Sequence, residues 1–190
     1  TGSPILGLFA AILASCSASF IHGFACITNK GDQVISGLAI NILASGLTIT
    51  LGIALFSRGG QTPPLGAEQR FMPIEFPFLD QVSFVPVLGD LFAEVISGHN
   101  LLVYLSILAV FFTYYIIFKT RFGLRLRAVG EKPEAVDTAG ISVIKMRYQS
   151  ILIAGMLCGL AGAYLSIAHG AGFGREMSAG KGYIALAAMI

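Results

Sequence analysis

The residues able to do chemistry are few in this sequence, and their spacing is uncooperative. Cys16, Cys26 and Cys158 each sit inside an apolar run and form no CxxC pair, which indicates neither a disulfide framework nor a zinc site. His22, His99 and His169 have no second ligand at metal spacing. Neither a GxSxG nucleophile elbow nor an HExxH pair occurs, and no carboxylate lies within the long apolar runs. A membrane hydrolase or a proton-linked carrier would usually show one of these. The stretch Gly174-Arg-Glu-Met-Ser-Ala-Gly180-Lys181 approaches a phosphate-binding loop. Five residues separate its glycines where four are required, and Gly182 stands where a Ser or Thr should bind magnesium. Gly170, Gly172 and Gly174 do not match a dinucleotide fingerprint either. Enzymatic chemistry is not written here in any usual form.

Three subtler patterns remain. Asn41, Ser45 and Thr48 recur at helical spacing in an otherwise aliphatic stretch, so they share one face. A polar stripe of this kind either lines a path for a polar solute or bonds between helices, and the group is the best sequence candidate for a path. Gly155, Gly159, Gly162 and Ala163 form a stripe of small residues that lets a second backbone approach closely, with packing as the expected role. Ala14, Ser15, Ser19 and Gly23 give the first apolar run a similar character. Lastly, residues 131–140 spell a short helix. Pro133 suits the first helical position, Glu134 the positive end of the dipole, and Gly140 the stop. Seven or eight residues of helix are unstable alone, so this one is expected to dock.

The elements that must hold these residues follow from composition. The 190 residues are 55% hydrophobic and only 12% charged. A soluble domain averages about 25% charged, so these charges could not cover one in water. A formal net charge of +2 gives no case for nucleic acid. Residues 4–27, 33–57, 99–118 and 148–174 carry no Asp, Glu, Lys or Arg, and each is long enough to span a bilayer. A further apolar segment begins near Gly182. The fold class expected is all-α, a polytopic transmembrane helix bundle with four complete spans and the start of another.

Charge orients the bundle. Residues 119–147 hold seven of the twelve basic residues and carry a local balance of +4, whereas residues 58–100 balance at −3. The positive-inside bias puts 119–147 in the cytoplasm and 58–100 outside. Lys30 then falls on the cytoplasmic side without having been used to set the frame. The outer loop is rich in proline (Pro63, Pro64, Pro73, Pro77, Pro86), which leaves room only for a short turn of helix near residues 91–96.

At the cytoplasmic loop the sequence resembles a known family. The run T-R-F-G-L-R-L-R-A-V-G-E-K-P-E-A-V-D-T-A-G-I, residues 120–141, resembles the cytoplasmic loop of permease subunits from bacterial ABC importers of the branched-chain amino acid, ribose and nucleoside group. G-D-Q-V-I-S-G-L-A-I-N (31–41), V-P-V-L-G (85–89), G-L-A-G-A-Y-L-S (159–166) and S-A-G-K-G-Y-I-A-L-A-A (178–188) extend the likeness over nearly the whole chain. It is most like the simple-sugar and nucleoside branch. The resemblance implies a non-catalytic subunit of the bacterial cytoplasmic (inner) membrane that moves a nucleoside or simple sugar. It implies a second permease subunit, homo- or heterodimeric, an extracytoplasmic solute-binding protein, and a cytoplasmic ATPase. No cofactor would be bound by this chain, and ATP would be used by that partner. The coupling helix would be residues 133–139, with Arg125, Arg127, Glu131, Pro133, Glu134, Ala135, Asp137 and Gly140 in or beside it. The segment containing Gly182 would lie near the path. Family members extend beyond both Thr1 and Ile190, so the chain is expected to be a piece of a longer protein. The competing readings are a carrier or channel not driven by an ATPase, and an ABC permease for a branched-chain amino acid or vitamin.

Overall fold

The computed structural model describes residues 3–66, 70–72, 98–170 and 172–189. It is a bundle of helices, and no strand occurs among the described residues. The short helix expected near residues 91–96, with Pro73, Pro77 and Pro86 and the 85–89 motif, lies outside them.

Helix α1 covers Pro4–Gly23, with Ser3 as its cap: the Ser3 hydroxyl accepts from Leu6 N, and Pro4 takes the first helical position. The helix continues as a π turn through Phe24–Thr28, ending where Asn29 N donates to Phe24 O at 3.2 Å. Helix α2 covers Gln33–Phe56 and is capped by Asp32, whose carboxylate accepts from Val34 N at 2.7 Å and Ile35 N at 3.0 Å. Its end is forced by Ser57, held in the left-handed region at φ 54°. Helix α3 covers Leu101–Lys119. After two short helices described below, α6 covers Val143–Ala163 and runs on as a second π turn, Tyr164–His169. A last helix, α7, covers Lys181–Met189.

Four of these stretches are long and apolar enough to cross a membrane: Pro4–Thr28, Gln33–Phe56, Leu101–Lys119 and Val143–His169. The fourth starts five residues earlier than its charge-free run, because Lys145 and Arg147 sit in the first turns of α6. Their long side chains can carry the charge to the headgroup level, so helix continues where the uncharged run has already ended. The outward faces are apolar: Ile42 is 73% exposed and Phe111 71%. In water such a surface would drive aggregation; in a bilayer, hydrocarbon is the solvent it meets.

The tightest pairing is between α1 and α6, which run antiparallel. Gly7 lies opposite Ile167, and Gly23 opposite Tyr148 and Ile151 at the other end. Between these points Gly159 presses on the backbone of Ile12, and Gly155 on Ser19 and Cys16. Ala163 is fully buried. The face of α1 in contact is therefore Gly7, Ile12, Cys16, Ser19 and Gly23, while Ala14 faces outward. Thr28 Oγ1 and Tyr148 OH, 2.6 Å apart, close one end of the pair. At the opposite end Thr62 N donates to Phe173 O at 3.0 Å, and Phe173 N donates to Thr62 Oγ1 at 2.8 Å. This short antiparallel clasp joins the segment after α2 to the segment after α6.

Candidate coupling surface

Residues 119–147 fold into a small unit where α3 ends and α6 begins. Helix α4, Arg121–Glu131, follows α3 after the single residue Thr120. The Thr120 hydroxyl donates to Ile116 O at 2.5 Å, finishing α3, and accepts from Gly123 N at 3.2 Å, starting α4. Gly123 lies against the carbonyls of Ile116 and Ile117, so closely that any Cβ there would collide with backbone. The chain can therefore turn sharply only because residue 123 has no side chain.

Helix α5, Pro133–Thr138, has Pro133 in its first turn and Glu134 at the positive end of its dipole. Its end is a Schellman motif: Ile141 N donates to Val136 O at 3.2 Å and Gly140 N to Asp137 O at 2.9 Å. Gly140 takes φ +77°, the conformation that such a stop needs at this position. The helix is six residues long, a turn-end shorter than its sequence suggests.

The three helices share a core. Val129 of α4, Val136 of α5 and Met146 of α6 are buried at 5–6% exposure, with Phe122, Leu126, Ala128, Ile141 and Val143 packed around them. Phe122, Leu126 and Val129 stand at i, i+4 and i+7, one face of α4. That periodicity is present in the sequence, yet the one helix expected in this loop was the short one starting at Pro133, and α4 was not. Through this core α5 is fixed to the first two turns of α6, and α6 in turn to α1.

What α5 leaves outward is Glu134, Ala135, Asp137 and Thr138, all exposed. Pro133 is half-buried. Glu131 is exposed at the end of α4. Arg125 is exposed, and Arg127 lays its guanidinium over the Phe118 ring at 5.1 Å from the centroid. The only ion pair among the described residues, Arg175–Glu176 at 3.8 Å, lies at the other end of the bundle. The charges of 119–147 are thus available to outside partners.

Of the polar stripe on α2, Ser45 and Thr48 are half-buried, and Thr48 Oγ1 donates to Ser45 O at 2.9 Å. Asn41 is exposed and has no hydrogen-bond partner among the described residues. Gly155, Gly159 and Ala163 face α1, whereas an added Cβ at Gly162 would meet open space. Gly182 lies in the first turn of α7, exposed and away from Asn41, Ser45 and Thr48 in any contact. Two of the three histidines have local partners: His22 Nδ1 lies 3.0 Å from Ser36 Oγ, and the His169 ring stacks on Tyr164. No group of three His, Cys, Asp or Glu side chains able to hold a metal occurs among the described residues. A groove of about 1000 Å³ between α3 and α6, lined by Ser106, Thr113 and Tyr164 among aliphatics, had no signature in the sequence. Its lining comes from two helices far apart in the chain.

Comparison with known proteins bears on this geometry. Residues 1–190 match the family described as branched-chain amino acid transport system / permease component. The chain is 39% identical to the guanosine ABC transporter permease protein NupQ of Bacillus subtilis, over 99% of its own length and 56% of that protein. It is 36% identical to the nucleoside ABC transporter permease protein NupC of Lactococcus lactis subsp. cremoris, again over 99% and 56%. It is 34% identical to the putative glucose ABC transporter permease protein TsgC13 of Haloferax volcanii, over 100% and 54%. The chain thus spans a little over half the length of these relatives. No solved structure matches it.

Proposed function

Since the chain belongs to the branched-chain amino acid transport system / permease component family, we propose that it is part of the membrane subunit of an ATP-driven importer for a nucleoside, or failing that a simple sugar. It is a multi-pass integral membrane protein of the plasma membrane. The relatives named for guanosine and nucleosides, at 39% and 36% identity, favour the nucleoside reading over the sugar named for the relative at 34%.

The observation that carries the proposal is the construction of α5. A six-residue helix cannot hold itself, yet this one opens on Pro133, ends in a Schellman stop and is pinned by Val136 to α6. Such an anchored helix with its remaining side chains turned outward suits a part that receives a push. In this reading a cytoplasmic ATPase seats on Glu134, Ala135, Asp137 and Thr138, with Arg125, Arg127 and Glu131 flanking the seat. ATP hydrolysis belongs to that partner, so this chain contributes no catalytic residue and binds no cofactor. A second permease subunit completes the path, and an extracytoplasmic binding protein delivers the solute. Asn41, Ser45 and Thr48 are assigned to the path, with Gly182 near it. The exposed, unpartnered Asn41 amide is the group best able to meet a sugar hydroxyl or a base edge.

A cysteine at Ala135 in the full-length protein, co-expressed with its ATPase, should form a cross-link to that ATPase. An intact complex that gives no cross-link from any position in residues 131–140 would overturn the coupling role. Uptake that survives loss of ATPase activity but fails with the ion gradient would instead mark a secondary carrier.

A further inference from the structure

The unit that holds α5 has a second exposed face, on α4, whose chemistry differs from that of α5. Arg121, Leu124 and Arg125 fall at i, i+3 and i+4, on the exposed side of α4 next to the face that enters the core. Arg121 and Arg125 are exposed and have no partner among the described residues. Leu124 stands between them at 63% exposure. A large aliphatic side chain framed by two free guanidiniums is poorly suited to bulk water.

Its position along the bilayer normal is fixed by α3. Nineteen helical residues extend about 28 Å, close to the ~30 Å hydrocarbon thickness, so Lys119 lies at the membrane boundary. Helix α4 begins two residues later, with Gly123 touching the last carbonyls of α3. Arg127, at the far side of the turn, still reaches the Phe118 ring. The helix therefore stays beside the end of α3 instead of projecting into the cytoplasm. The exposed acids Glu134 and Asp137 belong to α5, and in α4 the one acid, Glu131, is its final residue. The basic residues gather where α4 leaves α3, and the acids lie at the far end of α4 and on the neighbouring helix.

We infer that α4 is an interfacial helix that binds anionic phospholipid headgroups, with Arg121 and Arg125 on the lipid phosphates and Leu124 lodged among the upper acyl carbons. Lipid is the occupant that charge favours, because basic residues placed just beyond the end of a spanning helix attract anionic headgroups. Seating α4 on lipid also fixes the height of α5, which shares its core. The inference rests on the membrane topology and not on the ATPase reading; the two share only Arg125, which here turns to lipid at the edge of the proposed ATPase seat.

The test uses the full-length protein in vesicles of phosphatidylcholine containing increasing phosphatidylglycerol. A bimane probe on a cysteine at Lys119, exposed at the end of α3 beside α4, meets the same lipids with brominated chains. Brominated phosphatidylglycerol should quench the probe more strongly than brominated phosphatidylcholine at equal mole fraction. R121Q/R125Q should abolish that preference, with a loss of roughly fivefold in local lipid enrichment per arginine removed. R121K/R125K should keep most of it, which shows that the double glutamine variant does not act by misfolding. Leu124→Ser should reduce quenching by both lipids while retaining the preference. Equal quenching by the two lipids in the parent protein would overturn the inference. So would displacement of the preference by millimolar inorganic phosphate at constant ionic strength, which would mark a soluble anion site. Complete protection of the probe by the bound ATPase would likewise overturn it, assigning the face to protein.

Discussion

At the scale of single residues, two glycines one turn apart in α6 have opposite roles. Gly159 presents its α-hydrogen to the Ile12 backbone: a Cβ there would come within 2.7 Å of Ile12 Cα, which cannot swing aside as a side-chain tip can. Gly162 would direct a Cβ into open space. Gly159→Ala should therefore destabilise the bundle by about 1–3 kcal/mol, the usual cost of overpacking a close contact. Gly162→Ala should be neutral, or gain up to about 1 kcal/mol from helix propensity. Thermal unfolding of the detergent-solubilised full-length protein distinguishes the two, and equal shifts would refute the assignment of the stripe to the α1 contact. The sequence showed both glycines in one small-residue cluster. It did not show that only Gly155, Gly159 and Ala163 meet α1, since Gly162 is turned from Gly159 by only about 60° around the helix and yet faces open space.

At the scale of elements, the cytoplasmic unit shows what was legible in the sequence and what was hidden. The four spans could be read because hydrocarbon excludes charge, so gaps between ionisable residues trace them to within a few residues. The same criterion failed at α6, whose first turns carry Lys145 and Arg147. It also passed over α4, an amphipathic helix whose three apolar anchors are separated by arginines. The stop at Gly140 could be read because only glycine readily takes a positive φ. The core of Val129, Val136 and Met146 could not, because its members come from three helices and meet only after both turns are made. Met146→Ala should cost about 2–3 kcal/mol locally, as large-to-small changes in a buried cluster do. Amide exchange in α5 should then accelerate by roughly 30-fold or more, at 1.4 kcal/mol per factor of ten. Unchanged exchange would mean that α5 is held by its caps alone.

At the scale of the whole molecule, α1, α2 and α6 are joined at both membrane faces, and α3 meets the rest chiefly through α4. The clasp between Thr62 and Phe173 has a consequence in polymer terms. Its partners are 111 residues apart, and closing a free loop of that length costs on the order of 4 kcal/mol in chain entropy, before any constant term. Two hydrogen bonds of about 1 kcal/mol net each do not offset that. The clasp must therefore form after the pairing of α1 with α6 has already brought its ends together, and it reports that pairing without causing it. Thr62→Val, which removes the hydroxyl at nearly constant shape, should leave the unfolding temperature of the bundle almost unchanged while the Phe173 amide loses its protection from exchange. A large fall in unfolding temperature would mean that the outer ends of this circuit are tied before its middle.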